Sequence, residues 1–230
     1  MFFGNWIIFM AIFSPKTIAF LQGLKENNNK PWFTDHEADY RQHVLAPLVS
    51  LVETLSETML DIDGEFETRP AINKTIARIY RDTRFSKDKT PFRTNPWISF
   101  KRPVAGWQDM PGYYFEVADD HYGYGMGLYQ AERLTMEAFR ARLAAKPDEF
   151  RRAVRFVEKR PDIAVGGDLY KKTLNPDIPA DLQSWYQRKS FYLFCTCPID
   201  DRLFDEGFAE FLAAEFKLMA PLYQYIWTLK

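Results

Sequence analysis

The stretch from Tyr113 to Tyr129 restricts this chain more than any other. Tyr113 to Val117 and Tyr122 to Tyr129 are two runs rich in strand-forming residues, joined at Asp119-Asp120, and they predict a hairpin. In the second arm Gly123, Gly125 and Gly127 alternate with Tyr124, Met126 and Leu128. Side chains alternate across a strand, so one face of this arm is apolar and the other is bare. Glycine weakens a strand interior, so three in register need a cause. Either a helix or an aromatic ring packs closely there, which is the simpler account, or a ligand lies against the exposed backbone.

Helices are expected on both sides of this hairpin. Ser14-Pro15 predicts a helix start, and Ile18, Leu21 and Leu24 give it an apolar stripe that ends at Asn27-Asn28-Asn29. Thr34-Asp35-His36-Glu37 reads as a capping box for a longer helix reaching Met59. Its stripe is Val44, Leu48, Leu51, Val52 and Leu55, and Pro47 inside it should kink or split it. Ile72 to Tyr80 fits a helix through Ile72, Ile76 and Ile79 or a strand through the alternation at Ile76 to Tyr80, with the strand favoured; Trp97 to Lys101 and Ser190 to Cys197 read as strands, with a shorter one at Ile163 to Val165. Helices are expected over 131–145, with Leu134, Ala138 and Leu143 buried, and over 147–158. A short one is expected at Asp181 to Trp185, a longer one from Asp200 to Lys217, and a terminal one from Pro221. The sum is a single α+β domain over residues 12–230, with a mostly antiparallel sheet flanked by N-terminal and C-terminal helices.

Met1 to Phe13 carry no charge. The run is shorter than the roughly 20 residues that span a bilayer, and it lacks the basic start of a signal peptide. Residues 1–11 therefore read as an apolar extension, with Met10 the natural start and no stable membrane insertion. Two cysteines, Cys195 and Cys197, are too few for a disulfide framework and suit a reducing, cytoplasmic compartment.

Charge is distributed unevenly. Between Arg69 and Arg102 lie ten cations: Arg69, Lys74, Arg78, Arg81, Arg84, Lys87, Lys89, Arg93, Lys101 and Arg102. Only Asp82 and Asp88 oppose them, although the whole chain has a net charge of −1. That near-neutral balance disfavours a general nucleic-acid binder but leaves this patch open to an anion. Arginine presents a planar fork of donors that matches phosphate or carboxylate. Arg78, Arg81, Arg84, Lys87, Lys89 and Arg93 are the candidate ligand-binding residues, with Lys172 and Lys189 as a second wall. Asp82 is a candidate to orient an arginine or to act as a base. The alternative is an internal network in which Arg78 and Arg81 pair with acids such as Glu65, Glu67 or Glu116.

Catalytic signals are sparse. His36 and His43 stand seven apart, wider than the usual helical zinc pair, and His121 falls at the hairpin tip. The sequence contains no phosphate-binding P-loop, dinucleotide fingerprint, nucleophile elbow or zinc-protease motif, so it predicts no cofactor and no metal.

Arg78-x-x-Arg81-Asp82-x-Arg84-Phe85-Ser86-x-Asp88-Lys89-x-Pro91 resembles the signature of an uncharacterised bacterial family, domain of unknown function 2461. Asn27-Asn28-Asn29-Lys30-x-Trp32-Phe33, the block from Gly112 to Tyr129, and Arg188-Lys189-Ser190-Phe191 are similar to its other blocks. Phe92 stands where that family usually has tyrosine. The resemblance implies one domain and names no activity. The expected function is binding of an anionic small molecule at the cationic loop. Nucleic-acid or nucleotide binding there, with Tyr80, Phe92 or Trp97 stacking on bases, is one alternative, and a structural module with internally paired cations is the other.

Overall fold

A computed structural model describes residues 11–128 and 130–229. Five strands form one antiparallel sheet: β1 (Trp97–Phe100), β2 (Pro111–Val117), β3 (His121–Leu128), β4 (Ala164–Gly166) and β5 (Tyr192–Pro198), ordered β1-β2-β3-β5-β4. The β2–β3 hairpin pairs in full register, from Pro111 opposite Leu128 to Val117 opposite Tyr122. The apolar extension before residue 11 and the Tyr129 end of the second arm lie outside the described residues.

The helices are α1 (Pro15–Glu26), α2 (Lys30–Asp35), α3 (Glu37–Tyr40), α4 (Ala46–Ile62), α5 (Arg133–Ala145), α6 (Pro147–Val154), α7 (Ala180–Tyr186) and α8 (Phe208–Trp227). Helix α8 packs against α4 and across β2 and β3. Ile98, Phe100, Tyr113, Phe115, Tyr122, Tyr124, Met126 and Leu193 turn to that side and are buried. Each such large apolar side chain contributes on the order of 1.5–3 kcal/mol, enough to hold the layers together. The molecule is thus an α+β domain. Among the described residues no helix is long and apolar enough to cross a membrane.

The glycine arm is explained by packing. A Cβ on Gly125 would stand 2.0 Å from the Leu193 carbonyl and 3.0 Å from the Tyr114 ring. One on Gly127 would stand 2.4 Å from Cα of Tyr192. Gly123 lies beneath Glu116. The bare face is therefore covered by the protein's own side chains.

Several local expectations change in the fold. Thr34 lies inside α2, where its hydroxyl donates to the Lys30 carbonyl, so it caps nothing. The cap is Asn29, whose Oδ1 accepts from the Trp32 N–H at 3.0 Å. Pro47 does mark a break in its helix: a π-helical turn at Arg41–Leu45 separates α3 from α4, and the proline stands in the first turn of α4, where no N–H is needed. Residues 76–80 make only isolated bridges, Ile76 to Ile98 and Tyr80 to Phe92, because the chain leaves the sheet edge to form a loop. Leu134 is 68% exposed; the buried stripe of α5 is Met136, Phe139 and Leu143. Pro221 lies within α8 and opens no new helix.

Two buried acids fasten α8. Asp63, at the end of α4, accepts from Arg102 Nε at 2.8 Å, from the Tyr223 hydroxyl and from the Glu65 N–H. Glu215 takes a bidentate clasp from Arg160 at 2.8 Å and 2.8 Å, and the Tyr124 hydroxyl at 3.0 Å. Burial pushes the Asp63 carboxyl up, but the bonds from Arg102, Tyr223 and Glu65 outweigh it and hold it below the usual range. A depressed carboxylate stabilises the fold above its unfolded value, near 3.9, and that stabilisation is lost as pH falls through the folded value. Asp63→Ala should cost about 3 kcal/mol, a drop of roughly 6–12 °C in a melt followed by circular dichroism. Asp63→Asn should also flatten the loss of stability below about pH 4.

Candidate functional site

The segment after Ile76 runs beside β1, where the Ala77 N–H donates to the Trp97 carbonyl and the Ser99 N–H to the Thr75 carbonyl. It then leaves as a loop whose two ends pair. The Arg81 N–H donates to the Pro91 carbonyl and the Arg93 N–H to the Ile79 carbonyl, both at 2.8 Å. Residues 82–90 are carried between these roots.

One root is fixed from outside by Asn28. Its Nδ2 donates to the Phe92 carbonyl at 3.0 Å, and its Oδ1 accepts the Phe92 N–H at 3.0 Å. An amide side chain here satisfies a backbone as a neighbouring strand would. The Phe92 ring, 2% exposed, stacks on Phe33 with centroids 4.2 Å apart, and Tyr80 packs against both. Phe92 is thus an anchor in the core and unavailable to a ligand.

Within the loop, the charges brace one another. Arg81 donates from Nη1 to Asp88 and to the Thr90 hydroxyl. Asp88 also accepts the Thr90 N–H at 2.9 Å. Asp82 receives Arg84 through Nε at 3.0 Å and Nη2 at 2.7 Å. Lys89 donates to the Thr83 carbonyl at 2.8 Å. The Arg84 pair holds the Asp82 carboxyl down to about 2. The Thr90 N–H, then Arg81 and the Thr90 hydroxyl, do the same for Asp88, also to about 2. Asp82 is therefore ionised at neutral pH and a poor general base, whose value should lie near the working pH. Among the described residues, no side-chain hydrogen bond or ion pair engages Arg78 or Lys87.

Acids from outside the loop neutralise the two ends of the cationic run, Arg69 and Arg102. Glu67 binds Arg69 at 2.5 Å, and Glu116 accepts from Asn95 at 3.0 Å. Arg102 belongs to the Asp63 network, and Lys101 stands 3.2 Å above the Trp107 ring.

Beside the loop lies a cavity of about 360 Å³, lined by Arg81, Asp88, Thr90, Arg93, Asn28, Thr94 and Asn95, with Phe92 behind them. Arg81 is held by one nitrogen; no hydrogen bond among the described residues uses its Nε or Nη2. Arg93 lies with its guanidinium 4.4 Å from the Trp97 ring. The predicted residues Arg81 and Arg93 are thus brought together. Arg78, Arg84, Lys87 and Lys89 surround them on the loop without lining the cavity. Lys172 and Lys189 are not brought there. Lys189 pairs with Asp168 at 3.8 Å, in the chain that extends the β4–β5 pairing. Lys189 lies on the extension of β5, three strand spacings or about 14 Å from β1.

The chain matches a family of conserved hypothetical proteins, DUF2461, over residues 16–225. The chain belongs to this family. No curated protein matches it. In this DUF2461 member the N-terminal block and the cationic loop, distant in sequence, are one structural unit joined at Asn28 and Phe33.

Sequence reasoning missed Asn28, Thr90, Thr94 and Asn95 as cavity residues. Asn28 left a trace: one asparagine suffices to end α1, and three stand in a row. The others carried no signal, because a lone Thr or Asn in a loop is ordinary. Among the described residues, no group of three or more His, Cys, Asp and Glu is placed to hold a metal. At the hairpin tip Asp119 binds Lys25 at 2.8 Å and Asp120 binds His121 at 2.5 Å.

Asn28→Ala should orphan both polar groups of the buried Phe92 backbone and cost about 2 kcal/mol. Limited proteolysis should then cleave within residues 82–90 faster than in the native protein, with the remainder of the domain intact.

Proposed function

We propose that the cavity beside the loop binds a compact, polar, anionic small molecule carrying a phosphate or carboxylate. One observation carries this reading: Arg81 is anchored on one edge by Asp88 and Thr90, which leaves its other donors aimed for a ligand without the entropy of a free side chain. Arg93 supplies a second guanidinium, and Thr94 and Asn95 add neutral polar groups. The cavity lies within the size range of small-molecule sites.

The wall offers little to a base. Phe92 is buried in its stack, Tyr80 leans on Phe33 and Phe92, and Trp97 lies against Arg93. That favours a sugar phosphate or small carboxylate over a nucleotide, and a small ligand over nucleic acid. Internal pairing accounts for Arg81 and Arg84, but among the described residues Arg78 and Lys87 make no ion pair, which weakens the purely structural alternative. No reaction is assigned. A bacterial cytoplasmic setting is part of the proposal, supported by the free thiols of Cys195 and Cys197.

Thermal-shift and calorimetric titration with inorganic phosphate, a hexose phosphate, citrate and adenosine monophosphate test this. At least one of the compact anions should stabilise the native chain, and Arg81→Lys should weaken it by about tenfold or more, because lysine cannot reproduce the anchored fork. Adenosine monophosphate should bind no more than about threefold tighter than hexose phosphate. If none of the anions binds, or if Arg81→Lys binds them all equally well, the cavity is not the site.

A further inference from the structure

We propose that the tip of the cationic loop docks this protein reversibly on an anionic lipid surface, with Phe85 as the wedge. Phe85 is 95% exposed, more than any other large apolar side chain among the described residues. Burial elsewhere gives it no role: it touches neither the cavity nor the core. Among the described residues its ring neighbour is Arg84, whose guanidinium carbon stands 5.7 Å from its centroid. Arg84, Lys87 and Lys89 are exposed around it. The loop is also held in shape without it, by the Arg84–Asp82 and Arg81–Asp88 pairs and by Lys89 on the Thr83 carbonyl. A braced loop can present an apolar tip without reordering on contact.

Charge selects the partner. Residues 78–90 carry five cations and two acids, a surplus of three, in a chain whose net charge is −1; the remainder is therefore −4. Such a molecule turns its loop toward a negatively charged surface and its other side away. At a bilayer interface one aromatic side chain sinks below the headgroups while neighbouring Lys and Arg stay among them. Anionic lipid adds attraction for each basic residue near the surface. Single-stranded nucleic acid, by contrast, is gripped by successive aromatic platforms. Here Phe92 is buried, half-exposed Tyr80 packs on Phe33 and Phe92, Trp97 lies against Arg93, and Phe85 is the one ring of the loop that is almost wholly exposed. With one wedge and three surplus charges, binding is weak and reversible, of the kind that responds to lipid composition.

The test is co-sedimentation of the full chain with vesicles of phosphatidylcholine, with and without about one-third phosphatidylserine. Protein should sediment with the anionic vesicles and not with the neutral ones, and raising salt from about 0.1 M to about 0.5 M should release it. Phe85→Ala should lower the partition coefficient about tenfold, and Phe85→Trp should keep it. Lys87→Glu with Lys89→Glu should abolish it. Phe85 is exposed and braces nothing, so Phe85→Ala leaves folding and the cavity's thermal shift with hexose phosphate intact; each site can fail without the other. Absence from the anionic vesicles overturns the proposal, as does undiminished binding by Phe85→Ala. Tighter retention on a single-stranded oligonucleotide, lost in Phe85→Ala, also overturns it and assigns the tip to nucleic acid.

Discussion

The side-chain amide of Asn28 meets the backbone of Phe92 through one donated and one accepted hydrogen bond, both 3.0 Å long. A buried backbone N–H and carbonyl left unpaired each cost about 1–3 kcal/mol. Once Asn28 satisfies them, Phe92 can stack on Phe33 and its neighbours Arg93 and Pro91 can pair with Ile79 and Arg81. Those pairings set where the loop leaves the body and where it returns. The cavity, the aim of Arg81 and the exposure of Phe85 all follow from that frame. The turn between α1 and α2 thus clamps the site, while α4 packs against β1.

Electrostatics inside the loop differs in kind from electrostatics in the core. Asp63 and Glu215 are buried acids, each met by an arginine and a tyrosine hydroxyl, and they tie α8 to distant parts of the chain. Breaking such a pair strands a charge away from water. Asp82 and Asp88 are open to solvent, so their pairs add little to global stability. Their effect is local: they fix the rotamers of Arg84 and Arg81. A surface ion pair of negligible energy can still orient a binding residue.

The fold was readable to the extent that burial had a period. The strands of the hairpin, the stripe Val44-Leu48-Leu51-Val52-Leu55 and the apolar strand before Cys197 all appear where alternation or helical spacing places them. Misreadings fell where local chemistry had a tertiary competitor. Thr34 had the right neighbours for a cap, but Asn29 took that role and the helix began earlier. Residues 76–80 had strand composition, yet only single bridges form because the loop roots claim that backbone. Leu134 fitted the α5 stripe by spacing, but Met136, Phe139 and Leu143 face the core.

The sequence by itself determined the antiparallel hairpin, the α+β class, the surplus of cation near Arg81 and the need for close packing over Gly125. These depend on residue order and on properties each residue carries alone. Only the tertiary structure decided which cations share a cavity. Arg81 and Arg93 meet because their backbones flank one short pairing, whereas Lys189 extends β5 and Lys172 follows the extension of β4, three and four strand spacings from β1. It also decided that Phe92 is core and Phe85 is surface, although both are phenylalanines within one cationic run. Spacing along a loop has no fixed period, so which side chain turns inward depends on what the rest of the chain offers it. Here Phe33 offered a stacking face to one ring, and among the described residues no aromatic ring offered one to the other.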